Sequence, residues 1–185
     1  IGASLKGKSP GTFGNISAFS FHPLKSLNVT GDGGAVVTND KKIYDWLSKY
    51  RNHGMISRDT IEMWGVNNRM QPLQCIVALW GLKKIKEVIK IRNGNANYYD
   101  EKLKQFKDFI TVPKRIKGFT ETFALYMVLC KRRDKLKSFL EKKNIEVKIH
   151  YPKGLNHQPA FKKFNQKRNY GKFKNSDKQA KMLLT

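Results

Sequence analysis

Two short stretches alternate as half-buried strands do, Ile16 to Phe21 and Ala35 to Thr38, and the residues between them can continue neither. Pro23 has no N–H to donate and stops the first strand. Gly31, Gly33 and Gly34 stand just ahead of the second, where glycine permits positive φ and close backbone approach. The order is therefore strand, turn, glycine-rich bend, strand, with Lys25 on the turn. No other lysine of this chain lies between an aromatic strand and a glycine cluster. A lysine held away from water loses part of its affinity for a proton and offers a free amine to a carbonyl. Lys25 is thus a candidate Schiff-base lysine, set against the ordinary alternative of a solvated cation among 37 Lys and Arg residues.

Further along, Asn39 and Asp40 are good N-caps for a helix through Ile43, Trp46, Leu47 and Tyr50, with Gly54 placed as its C′ residue. Residues 55–70 read as a loop. Pro72 suits the first turn of a helix, and from Leu73 to Leu103 apolar residues recur at helical spacing. That span is long and contains Gly81 and Gly94, so either one helix or a break near Gly94 fits it. Past Val112-Pro113 the composition changes. Phe123 to Leu129 is a buried-strand candidate, Leu136, Phe139 and Leu140 mark a helix ending near Asn144, and Ile145 to Ile149 reads as a strand. This is a compact α+β unit, and the boundary is placed near residue 110. Residues 161–178 are biased toward Lys, Asn and Phe, with little periodicity.

Against 37 basic side chains stand 14 acidic ones, a formal charge of +23 that attracts polyanions. The densest basic stretch, residues 161–174, interleaves aromatics with cations as single-strand binders do. A basic single-stranded nucleic-acid-binding module is therefore the alternative function. The cations are spread along the whole chain, which favours solvated surfaces over a nucleic-acid groove. Cys75 and Cys130 sit in apolar contexts with no metal-ligand or disulfide spacing, pointing to a reducing compartment such as the cytoplasm. The apolar run from Cys75 to Leu82 is too short to span a bilayer.

The run from Gly11 through Ser20-Phe21-His22-Pro23-Leu24-Lys25 to Gly31-Asp32-Gly33-Gly34 resembles the cofactor-lysine segment of the DegT-type sugar aminotransferases. Arg51-Asn52-His53-Gly54, Gly65-Val66-Asn67-Asn68-Arg69-Met70, His150-Tyr151-Pro152 and Gln158-Pro159-Ala160 follow in the family's order. The resemblance implies an α/β fold of the aspartate aminotransferase-like type. Residues 1–110 would be the C-terminal part of its large, cofactor-binding domain with a long interdomain helix. Residues 111–185 would be an incomplete small α+β domain. It also implies pyridoxal phosphate on Lys25, which would move the proton at the substrate carbon, and Ser20 on the cofactor phosphate. Asn67 would reach the phosphate of a partner subunit's cofactor, making the active site the property of a homodimer. Arg69, His150, Tyr151 and His157 are the substrate-side candidates, and no metal is implied. The implied reaction is transamination of a keto-sugar nucleotide, with glutamate as donor, for surface polysaccharide or glycan biosynthesis.

His22 is expected to pack or hydrogen-bond near the lysine turn, and His53 to complement a helix dipole. The chain departs from the family's usual H-Y-P-x-P-L-H-x-Q-P: Asn156 stands where the second histidine falls, and His157 comes one residue later. The aspartate that partners the cofactor's ring nitrogen in the family would precede Ile1. The chain therefore reads as a fragment, incomplete as an enzyme on its own. A family relative without catalysis is a further alternative.

Overall fold

The structure is a computed structural model that describes residues 1–165 and 172–185. In chain order its elements are β1 (Ser4–Leu5), β2 (Ile16–Ser20), β3 (Gly34–Thr38), α1 (Lys41–Tyr50), β4 (Met55–Ser57), β5 (Thr60–Ile61), α2 (Pro72–Leu103), β6 (Ile110–Thr111), β7 (Phe119–Thr120), β8 (Val128–Cys130), α3 (Arg133–Lys142), α4 (Pro159–Asn165), α5 (Lys174–Met182) and β9 (Leu183–Leu184). They fall into two compact units, residues 1–95 with 116–124 and residues 96–115 with 125–185.

In the first unit β2 and β3 pair antiparallel over their full length, with Ile16 opposite Thr38 and Ser20 opposite Gly34. Side chains alternate across such a ribbon, so Phe19 and Ala35 turn to one face together. There they pack against a cluster of buried Phe21, Leu27, Val29 and Ala78, joined by Met70 and Ile85. Val29 is wholly buried. Gly81 of α2 is needed for this packing: a Cβ there would stand 2.8 Å from Leu27 Cδ1.

α1 begins as its cap predicts, because Asp40 Oδ1 accepts from the backbone N–H of Lys42 at 2.8 Å and of Ile43 at 3.3 Å. Its end differs from expectation. Arg51 is the C-cap, and the left-handed residues are His53 (φ 61°) and Gly54 (φ 74°), which swing the chain into β4. Residues 55–61, expected as loop, form the short antiparallel β4–β5 hairpin. α2 runs unbroken for 32 residues through Gly94. Just before that glycine, Asn93 Nδ2 donates to Glu121 O at 2.9 Å and Arg92 Nη1 to Phe123 O at 2.7 Å, bracing the helix against segment 121–124.

In the second unit β8 lies between β6 and β9, with Cys130 and Leu184 buried. Two expected strands are corrected here. Of the 123–129 run only Val128 and Leu129 are strand, continuing to Cys130: Phe123 takes φ 44°, outside the extended range, and the chain bends again at residues 124–125. Residues 145–149 form no strand either: their regular pairing is limited to Lys148, which exchanges two 2.8 Å backbone bonds with Thr185. α5 was not foreseen.

Candidate functional site

The Lys25 turn is built from the backbone outward. Lys25 N donates to His22 O at 2.8 Å, closing a four-residue turn with Pro23 in its second position, where a fixed φ suits the bend. Asn28 Nδ2 donates to Lys25 O at 3.2 Å, so both peptide ends of the lysine are held. Beneath the turn Phe21 N donates to Gly33 O at 2.8 Å and Val29 N to Phe21 O at 3.0 Å. Phe21, Leu27 and Val29 thus drive into the core while residues 22–25 stand out. Gly31 has the positive φ expected of it (114°). Gly33 and Gly34 do not: their need is space, a Cβ on Gly34 falling 2.6 Å from Phe19 O.

Lys25 is exposed, which corrects the expectation of a desolvated amine. The physical reason is that the core lies below the turn and none of the described residues covers its tip. Ser20 ends β2, and its Oγ accepts from His22 N at 3.3 Å, leaving its O–H to donate.

Asn67 and Arg69 form a second cluster in the same unit. Val66 N donates to Tyr50 O at 2.7 Å and Asn68 N to Arg51 O at 2.9 Å, stitching this segment to the end of α1. Arg69 Nε donates to Asn67 Oδ1 at 2.9 Å and its Nη1 to Asn52 Oδ1 at 2.7 Å. Both partners are neutral amides, so the guanidinium charge stays available to an anion. With its oxygen taken, Asn67 presents its NH₂ as a donor. Met70 follows directly and packs on the core beneath the Lys25 turn. Gln74 of α2 completes the frame, its Nε2 donating to Asp32 O at 2.9 Å. Asn28, Asn52 and Gln74 were assigned no site role from the sequence, Asn52 entering only as part of the Arg51-Asn52-His53-Gly54 motif. An amide three residues after Lys25 was the one local signal available.

His150, Tyr151 and His157 belong to the second unit. His150 Nδ1 lies 2.7 Å from Thr185 Oγ1, and Tyr151 is three-quarters exposed (75%). His157 Nε2 is 2.7 Å from Asp177 Oδ1, which also accepts from Asn156 Nδ2 at 2.8 Å. These two partners, Asn156 first, hold the Asp177 carboxyl below its usual range. Asp177 was missed because no motif marks it and it sits in a compositionally biased stretch.

The same unit holds a structural cluster at the end of α2. Arg115 pairs bidentately with Asp100, Nε to Oδ2 and Nη2 to Oδ1, each at 2.9 Å, and Tyr126 Oη donates to Asp100 Oδ1 at 2.7 Å. The Arg115 hydrogen bonds outweigh burial and depress the Asp100 carboxyl, while burial and then the Asp100 bond raise the Tyr126 phenol well above its ordinary 10.0.

Of the basic stretch proposed for nucleic acid, residues 166–171 lie outside the described residues. Phe161 and Phe173, on either side of those residues, pack edge-to-face on each other at 5.8 Å. Among the described residues no group of three or more His, Cys, Asp or Glu could hold a metal, and no helix is long and apolar enough to cross a membrane.

Residues 1–185 match the profile of the DegT/DnrJ/EryC1/StrS aminotransferase family. A pleiotropic regulatory protein of Geobacillus stearothermophilus is 29% identical over all of this chain and 50% of its own length. The UDP-2-acetamido-2-deoxy-3-oxo-D-glucuronate aminotransferase of Pseudomonas aeruginosa is 34% identical over 86% of this chain and 44% of its own. Among solved structures, a DegT DnrJ EryC1 StrS aminotransferase from Brucella abortus superimposes with a TM-score of 0.89 at 31% identity, covering 100% of this chain and 48% of that one. The chain thus spans about half the length of the relatives it matches.

Proposed function

The chain belongs to the DegT/DnrJ/EryC1/StrS aminotransferase family, and on that premise we propose that it is the lysine-bearing part of a nucleotide-sugar aminotransferase. The observation that carries the reading is Lys25, its peptide clamped at both ends and its side chain left outside, on the segment where the family's pyridoxal phosphate is bound. UDP- and dTDP-sugar aminotransferases among the relatives support the substrate class.

The residues present fit pyridoxal phosphate. Ser20 offers a hydroxyl proton to a phosphate oxygen, Asn67 an amide N–H₂, and Arg69 an uncompensated positive charge nearby in the chain. When bound, the group supplies an aldehyde for an amine and an electron-withdrawing ring. Lys25 Nζ is the nucleophile that holds it and the base that moves a proton at the substrate carbon. A basic surface also draws an anionic sugar nucleotide toward the site.

The finer reading keeps the roles implied above. Asn67 serves the cofactor of a second subunit in a homodimer, His150, Tyr151 and His157 face the sugar, and glutamate donates the amino group. The whole protein works in the cytoplasm in surface-glycan synthesis. Residues 1–110 belong to an aspartate aminotransferase-like large domain and 111–185 to a small one.

Incubation with pyridoxal phosphate and borohydride should label Lys25 in preference to the other lysines, read by peptide mass spectrometry. Visible absorbance of the loaded protein that survives Lys25→Ala unchanged would sink the assignment. Amino transfer from glutamate to UDP- or dTDP-keto-sugars tests the substrate class.

A further inference from the structure

We propose that His22 positions Lys25 by serving as the side-chain acceptor of the turn, a role that asparagine can fill and glutamine or leucine cannot. The inference rests on the reading of Lys25 as the cofactor lysine. It starts from two bonds made by one residue. His22 O accepts from Lys25 N at 2.8 Å, and His22 Nδ1 accepts from Leu24 N at 3.2 Å.

A side chain that accepts from the N–H two residues on is what Asn and Asp provide at the first position of such turns, ahead of a proline as here. The imidazole reaches the same N–H with Nδ1. That nitrogen must then be unprotonated, and the ring hydrogen sits on Nε2. The main-chain N–H of His22 donates to Ser20 Oγ at 3.3 Å. One residue therefore links the hydroxyl assigned to the cofactor phosphate with the lysine assigned to its aldehyde.

Asparagine places Oδ1 where histidine has Nδ1. Glutamine carries its oxygen one carbon farther out, and leucine has no acceptor. His22 and Leu24 are both exposed, so an N–H released from the turn finds water and the fold beneath is spared. What changes is how often the turn presents Lys25.

The experiment compares His22→Asn, His22→Gln and His22→Leu with the parent protein. Lys25 Nζ condenses with the aldehyde of pyridoxal phosphate with loss of water, and borohydride delivers hydride to the C=N bond to leave a stable secondary amine. Labelling of Lys25 is measured by mass spectrometry against the other lysines of the same sample. Exchange of the Leu24 amide is followed in parallel, without cofactor.

For His22→Leu and His22→Gln we expect Lys25 labelling to fall about fivefold and Leu24 exchange to quicken about as much, the loss of one hydrogen bond. His22→Asn should stay within about twofold of the parent in both, with melting unchanged in all three. Asparagine behaving like leucine, or Leu24 exchange indifferent to all three, overturns the proposal. Exchange in the stated order with no preference for Lys25 in the parent overturns the cofactor reading instead, and upholds the turn.

Discussion

The Lys25 turn and the segment from His150 to His157 carry the same kinds of residue but spend them differently. In the turn the ties run to main-chain atoms: Lys25 N and O, Leu24 N, and through Gln74 the carbonyl of Asp32. The reactive side chain is left over. In the second segment the polar side chains are the ties, His150 to Thr185, His157 and Asn156 to Asp177. Backbone-held loops display a functional group, whereas loops held by side chains consume theirs. The second segment is thus committed first to its own shape, and only what remains of each side chain can meet a substrate.

The largest effect that sharpens this contrast is Lys25→Ala. It should abolish the preferential labelling of that peptide by pyridoxal phosphate while moving the melting temperature by less than about 1 °C, since an exposed side chain is removed that makes no tie among the described residues. A large fall in melting temperature would break the comparison, showing the lysine to be structural.

Next, Val29→Ala attacks the turn from below. Val29 is 0% exposed, and losing its two methyl groups from a packed core should cost about 2 kcal/mol in chemical denaturation. Lys25 labelling should weaken with it. Unaltered labelling in the folded variant would mean that the core does not hold the turn.

In the second unit the costly residue is predicted to be Asp100 and not a histidine. Asp100→Asn should lose about 1–2 kcal/mol at neutral pH, and Tyr126→Phe about 1 kcal/mol. The pH sign follows from the depressed carboxyl. Its contribution is complete above the ordinary value of 3.8 and is lost as pH falls through the lower folded value, so the acid limb of the stability curve should flatten in Asp100→Asn. Parallel acid limbs for the two proteins would refute the assignment.

The smallest effect belongs to Asp177→Asn. Its carboxylate is partly exposed, so the melting temperature should shift by less than about 2 °C. Amides of residues 154–158 should nevertheless exchange faster, because both ties from that segment end on one oxygen. Unchanged exchange there would show that the segment is held by something else.

Much of the site's first half was legible before any coordinates. Asp40 as a cap, β2 and β3 on either side of the glycines, and Lys25 on the bend all follow from signals acting over a few residues. The unbroken α2 was one of two readings that local rules allowed at Gly94, and bonds from Arg92 and Asn93 to segment 121–124 accompany the continuous form. The β4–β5 hairpin and the shortened β8 were misread because the pattern of residues 55–61 and 123–129 does not record the turns that Phe123 and His53-Gly54 make.

Sequence alone therefore determined which residues stand at the end of a strand, on a turn and at a cap, since those depend on φ preferences and hydrogen bonds reaching four residues or fewer. Only tertiary structure decided how Lys25 is exposed, that the Asn52 amide holds Arg69, and that His157 is spent on a carboxylate 20 residues away. Such partners are chosen by the packing of distant segments, and the pattern of a single segment carries no trace of them.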